Sequence, residues 1–307
     1  MKRSPLGIVG FEKGAVLRAA EGMGFFAAEG LDVTFTQTRS SKEEITGLLE
    51  GTWDVAFDNA DNVIAWDEGY GADRRPHDLF IFMGGSRELN QSLYGTSDIW
   101  DISQLRGKVL GVDAVDTGYA VVLRYILQRH GLGYEQDYRL IPLGSTRARL
   151  ENLLEGRISG AMLNSRTAES HAELRLLARG RDYVHPYASR VGLARRVWAE
   201  LHHDVLVRFI RANLTAADWL AREENEAAAL GLVSDEQGCA RQQLKEEIGN
   251  LRALGRSALA IDREALDRVI AVRTQAGIGK ARLPAAEKYF DNRFFKTAAS
   301  RPAASLA

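Results

Sequence analysis

The chain has a single cysteine, Cys239, in 307 residues. One thiol makes no internal disulfide and no cysteine cluster for zinc or iron–sulfur, so it says little about redox compartment; in a helical stretch it reads as a small hydrophobe. An excess of one charge is also missing. Forty Lys and Arg stand against 41 Asp and Glu, a formal net charge of -1, and no basic stripe is interleaved with aromatics, so nothing would gather nucleic acid. No segment approaches the roughly 18 apolar residues of a membrane span. His-Glu-x-x-His, Gly-x-x-x-x-Gly-Lys-Ser/Thr and Gly-x-Ser-x-Gly are all absent, which leaves a metalloprotease, nucleotide hydrolase or esterase without support. The histidines are scattered, and adjacent His202 and His203 cannot share one helix face as a zinc pair must. His77 and His185 stay open as general bases or as surface histidines. No metal and no cofactor is expected.

The start, Met1-Lys2-Arg3-Ser4-Pro5, is basic, but the apolar run Leu6–Phe11 is too short for a signal-peptide core. The expectation is therefore divided: an export signal removed ahead of Met1 and an extracytoplasmic protein, or a cytoplasmic one. With 45% hydrophobic and 26% charged residues, the composition is that of a globular protein long enough for two lobes with cores of their own. Only Ala298–Ala307 reads as a disordered tail.

What the sequence does contain is a repeat. Ser-Ser-Lys-Glu-Glu-Ile-Thr-Gly-Leu-Leu-Glu-Gly from Ser40 returns from Ser145 as Ser-Thr-Arg-Ala-Arg-Leu-Glu-Asn-Leu-Leu-Glu-Gly. At the same offset Ala56 matches Ala161 and Asn59 matches Asn164; the alternative is a chance pair of ordinary helices. Each copy predicts a helix opened by a hydroxyl, with Ser41 and Glu44 as a capping box, an apolar stripe (Ile45, Leu48, Leu49; Leu150, Leu153, Leu154) and a terminal glycine, Gly51 or Gly156. A short buried strand follows, Val55–Phe57 or Ile158–Leu163. Earlier strands match in pairs: Leu31–Gln37 with Tyr138–Leu143, and Leu6–Gly10 with Lys108–Val112. The fold class is thus α/β, two lobes that are each a β-α-β-α-β unit, with ligand space where the strand ends face each other.

Strand-like Leu79–Gly85 and Ser92–Thr96, joined by polar Ser86–Gln91, predict one crossing between lobes, and Tyr183–Ala194 predicts the return, together a hinge. The first lobe then comprises 1–87 and 188–307, and the second 88–187. The C-terminal extension is read as four helices, His202–Leu220, Glu223–Leu232, Asp235–Ala253 and Asp262–Gly277, packed on the first lobe as scaffold without chemistry.

Gly22–Val33, Gly-Met-Gly-Phe-Phe-Ala-Ala-Glu-Gly-Leu-Asp-Val, resembles the GFF-x-x-EGLDV segment of the family that joins nitrate-, sulfonate- and taurine-type binding proteins with thiamine-pyrimidine proteins. The Leu-Leu-Glu-Gly helix before Asp54-Val55-Ala56, the Asp101–Lys108 run before Val109–Val112, and Tyr289-Phe290-Asp291-Asn292 fit the same family in order. The resemblance spans about residues 5–295. It implies a type II periplasmic-binding-protein fold, hinge closure on a small-molecule ligand and delivery to an ABC permease, without naming the solute. It leaves room for cytoplasmic enzymes on the same scaffold, decarboxylases, desulfinases and pyrimidine synthases among them. The cysteine-dependent versions do not fit a lone Cys239.

The strand ends nominate the site. From the first lobe come Glu12, Lys13, Arg39, Ser40, Ser41, Asp58, Asn59, Asp61 and Asn62; from the second Asp113, Asp116, Thr117, Gly118, Tyr119, Ser145 and Asn164. Helix starts at Ser41, Thr117 and Ser145 would hold an anion or serve only as caps. The carboxylates would favour an amine or a nitrogen heterocycle, or are solvated loop residues. Tyr119, Phe11 and Trp66 could stack on a ring, and core packing is the competing reading for the last two. For an enzyme, a decarboxylase or lyase acting on a small aromatic or heterocyclic acid, the catalytic carboxylates would be Asp58, Asp61 and Asp116. The protein is expected to be a monomer.

Overall fold

The computed structural model describes residues 3–233, 238–279 and 281–300, the side chains of 238–240 excepted. The Cys239 side chain and the tail beyond Ser300 lie outside the described residues. The elements run β1 (Ser4–Gly10), α1 (Ala15–Gly22), α2 (Phe25–Ala28), β2 (Leu31–Gln37), α3 (Ser41–Glu50), β3 (Val55–Asp58), α4 (Ala60–Asp67), β4 (Leu79–Met83) and β5 (Gln91–Gly95). Then follow β6 (Lys108–Val112), α5 (Tyr119–Arg129), β7 (Tyr138–Pro142), α6 (Thr146–Leu154), β8 (Gly160–Asn164), α7 (Ser165–Glu169), β9 (Arg175–Arg179), α8 (Arg181–Val184) and β10 (Val191–Arg195). The C-terminal part is helical: α9 (Arg196–Leu201), α10 (His203–Ala221), α11 (Glu226–Gly231), α12 (Gly238–Leu254), α13 (Arg263–Gln275) and α14 (Arg293–Ala299). Ala298, expected to open a disordered tail, is buried in α14.

Two five-stranded sheets form, ordered β2-β1-β3-β10-β4 and β7-β6-β8-β5-β9. In each, three parallel strands from one β-α-β-α-β unit are completed by an antiparallel strand and its neighbour. The two sheets share one topology, as the repeat predicts. Of the stripes read from periodicity, Ile45 and Leu48 on α3 and Leu150 and Leu153 on α6 are buried, whereas Leu49 is half-buried and Leu154 is exposed. Gly51 ends α3 at φ 81°, a left-handed backbone that glycine adopts without penalty.

One local reading is off by a residue. Ser40, not Ser41, caps α3: its hydroxyl accepts from Glu43 N at 3.2 Å, as its repeat partner Ser145 accepts from Ala148 N at 3.3 Å. Ser41 is already helical and buried, and Glu44 lies on the inward face. Strand β9 and the helices α2, α4, α7, α8, α9 and α14 went unforeseen. β9 is an edge strand whose burial alternates irregularly, so it lacks the apolar run of a central strand.

The chain leaves the first sheet at Met83 and enters the second at Gln91, then leaves it at Arg179 and returns at Val191. The crossings are tied together by Tyr187 N to Arg87 O at 2.9 Å and Ser189 Oγ to Glu88 O at 2.6 Å. α10 packs on the first sheet through Phe209, whose ring lies 6.2 Å from those of Phe57 on β3 and Phe82 on β4 and stacks on Phe26 of α2 at 5.6 Å. α13 departs from the expected scaffold role on one lobe. It packs against α4, next to the first sheet, and also against α5, next to the second.

Candidate functional site

The carboxyl ends of the two sets of parallel strands meet, and the turns and helix starts after them fill the gap between sheets. The repeat-equivalent residues Arg39 and Gly144 touch there: a Cβ at Gly144 would lie 3.8 Å from Arg39 O. From the first lobe, Asp58 ends β3 and accepts from Asn59 N at 2.7 Å and from Asn62 Nδ2 at 2.6 Å. From the second, Gly118 precedes α5 at φ 60° and ψ -131°, a conformation for glycine. A Cβ there would sit 2.7 Å from Asp113 Oδ2 and 3.8 Å from Asn62 Oδ1, so Asn62 and Asp113 face one another past the bare glycine backbone. Gly118→Ala is expected to lower stability by about 1–3 kcal/mol through backbone strain and this clash; unchanged thermal unfolding would show the loop to be slack.

Burial sets the electrostatics. Asp58 is 8% exposed, and burial, reinforced by the charges of Asp113 and Asp61, pushes its carboxyl up to about 7 against the pull of Asn59 N–H and the Asn62 amide. Glu44 is fully buried in α3, and desolvation with the Asp58 charge raises it well above the ordinary range, Arg190 opposing. Burial raises Asp113 too, against Arg149. Arg149 is held down by desolvation, with Asp113 and Tyr119 pulling it up. It donates to Met162 O at 2.9 Å, Thr146 Oγ1 at 3.1 Å and Gly144 O. Burial, then the Asp58 and Asp113 charges, raise the Tyr119 hydroxyl.

Asp61 does something else. Its carboxylate takes both oxygens to Arg273 Nη1, at 2.8 and 3.0 Å, and accepts Gly118 N across the lobes at 2.8 Å. Arg273, on α13, also donates to Asp116 O at 3.0 Å. Asp61 and Arg273 are both fully buried, so the pair is an interlobe pin. The helical extension, read as scaffold, thus supplies a buried ion pair as well as packing. The Asp116 side chain turns outward to Arg74 at 2.6 Å, while Asp58 and Asp61 lie close enough for the charge of Asp61 to raise Asp58.

Several other candidates are not brought to the centre. Lys13 pairs with Glu21 at 2.7 Å and lies over the Phe35 ring. Glu12 is exposed, with its carbonyl holding Arg190 at 2.7 Å and its carboxylate accepting from Gln243. Arg39 is exposed at the rim. Thr117 is buried, and Gly118 rather than Thr117 stands at the start of α5. Asn59 and Asn164, nominated for ligand binding, cap α4 and α7 with their carbonyl oxygens, accepting from Asp61 N and Arg166 N, which keeps their repeat equivalence. Trp66 is core, packed on His77, and His77 itself pairs with Asp73 at 2.8 Å. Among the described residues no group of three or more His, Cys, Asp or Glu could hold a metal ion, and no helix is long and apolar enough to cross a membrane.

The sequence reading missed Arg149, Tyr187, Arg190, Glu247 and Arg273. For Arg149 a signal existed: it stands in the second copy of the repeat where Glu44 stands in the first.

The NMT1/THI5-like family pattern matches residues 14–227. The chain belongs to that family. Solved structures of the same architecture include the alkanesulfonate-binding protein SsuA from Xanthomonas axonopodis pv. citri bound to MOPS, with TM-score 0.72 and 14% identity over 95% of this chain and 99% of that one. The periplasmic nitrate-binding protein NrtA from Synechocystis PCC 6803 gives 0.72 and 15% over 98% and 89%. A Candida albicans protein described as having the generic periplasmic binding protein fold gives 0.70 and 16% over 94% and 96%. No curated protein sequence matches the chain. These likenesses place the NMT1/THI5-like chain in the two-lobed periplasmic-binding-protein fold.

Proposed function

We propose that the protein is an extracytoplasmic solute-binding protein that closes on a small polar organic molecule and delivers it to an ABC importer. The observation that carries this is a set of buried, incompletely paired polar groups from both lobes gathered around Asp58: its charge acts on Glu44, Asn62 donates to it, and Asp113 acts on it from the second lobe. Residues 1–87 with 188–307 move as one body against 88–187, turning on the two tied crossings. A ligand that touches both lobes binds the closed state better and so populates it. Family membership and the resemblance to SsuA and NrtA, which are named for alkanesulfonate and nitrate binding, support the reading.

The test is a thermal-shift screen of amines, amino acids, pyrimidines, sulfonates and aromatic acids, with mass spectrometry of each compound recovered. A specific ligand at a hundred times its dissociation constant adds about 2.7 kcal/mol of stability. Recovery unchanged is the expected result, and double replacement of Asp58 and Asn59 by Ala should then weaken binding with the fold retained. Recovery of a converted compound would replace transport by catalysis.

A further inference from the structure

The unpaired atoms around the gap are mostly acceptors. Glu44 leaves both carboxyl oxygens without a partner, Asn62 leaves Oδ1 and Asp113 leaves Oδ1. Glu44 and Asn62 are at most 1% exposed, and Asn62 Oδ1 is aimed across the gap at Gly118. The donors there, Asn59 Nδ2 and the Tyr187 hydroxyl, are neutral, and Asn59 acts on Tyr187 as a hydrogen-bond partner. The two buried cations, by contrast, are engaged, and Arg39 stands exposed at the rim. Arg149 spends three nitrogens on Met162, Gly144 and Thr146. Arg273 spends both Nη atoms on Asp61 and Asp116; its Nε has no acceptor, but the guanidinium lies over the Tyr70 ring, 5.3 Å from the centroid.

One helix start of the first lobe, that of α1, is also filled. Glu247 Oε2, from α12, accepts Ala15 N at the start of α1 at 2.7 Å. Arg190 Nη1 and Glu247 Oε2 both crowd Gly14, at 2.9 and 3.1 Å from a Cβ built there, and Arg190 donates to Glu12 O as well. An internal carboxylate thus stands at one helix start where a ligand anion would gain from backbone N–H groups and the helix dipole.

Resting on the binding-protein reading, we infer that the ligand is an organic cation whose amine, amidine or guanidine nitrogen donates to Glu44, Asn62 and Asp113, and that Glu247 is the specificity residue that turns free anions away. A buried acceptor left unpaired is costly, and a cationic donor both satisfies these atoms and neutralises the carboxylates around them. A sulfonate or nitrate would bring further acceptors and a like charge to the same place.

Calorimetry with the full chain tests this, using methylguanidinium and benzamidinium against nitrate, methanesulfonate, benzoate and benzenesulfonate. The cations should bind at least tenfold more tightly than any of the anions. Glu44→Gln should weaken cation binding tenfold or more while the protein stays folded, and Glu247→Gln should raise affinity for the small anions. Anions that bind more tightly to the wild-type protein, with closure seen by small-angle scattering, would overturn the charge assignment and leave the binding-protein reading standing. Failure of every probe of either charge would overturn both.

Discussion

Replacing Arg273 by Ala is expected to cost about 3–5 kcal/mol of stability, because it strands the carboxylate of Asp61 in a site with no access to water. The penalty belongs to the abandoned charge more than to the lost attraction. Asp61→Asn in the Arg273→Ala background should therefore recover much of it, and the double variant should be far more stable than the sum of the two single changes. Urea unfolding of the four proteins measures the cycle. A loss below about 1 kcal/mol for Arg273→Ala would mean that water reaches the pair and that it pins nothing. Because the guanidinium also holds Asp116 O and Asp61 accepts Gly118 N, the single variant should in addition open the lobes, seen as a larger radius of gyration.

Stability without ligand should fall as the pH rises from 4 to 8, unlike that of a protein stabilised by paired carboxylates. Asp58 goes from an ordinary value of 3.8 to about 7 on folding, so between those limits the folded chain keeps a proton that the unfolded chain has released. The cost is absent below the lower value and complete above the upper one, up to about 4 kcal/mol for this group alone. Glu44 and Asp113 shift in the same direction. The groups coupled to Asp58 do not cancel this: Asp61 and Asp113 add to the shift, while Arg190 acts on Glu44. Asp58→Asn should flatten the profile and raise stability at pH 8, since Asn62 can turn its amide so that the unpaired Oδ1 receives the new NH2. Thermal unfolding at pH 5 and pH 8 decides it, and a profile that rises with pH would remove the buried, protonated Asp58.

The architecture was legible because it is written in local pattern. Strands ending at Gly10, Gln37 and Val112 stand where alternation and glycine place them, and Ser145, Asn59 and Asn164 cap as their types suggest. The site was legible only in part. Asp58, Asn62, Asp113 and Gly118 follow from knowing that strand ends face each other. The partner of Asp61 does not, since Arg273 lies 212 residues further along on a helix whose stripe says only that it is amphipathic. Glu44 was given to capping because Ser41 preceded it by three residues; the true cap one residue earlier turns Glu44 inward, and a one-residue shift on a helix is a change of face.

The sheet orders also bear on how the chain is made. In the second sheet all five strands come from one uninterrupted stretch, complete once Arg179 exists. In the first, β10 lies between β3 and β4, so those two strands wait for a partner synthesised more than a hundred residues later. During translation the lobe begun second is therefore the one able to finish first, while the apolar edges of β3 and β4 stay uncovered and open to chaperones.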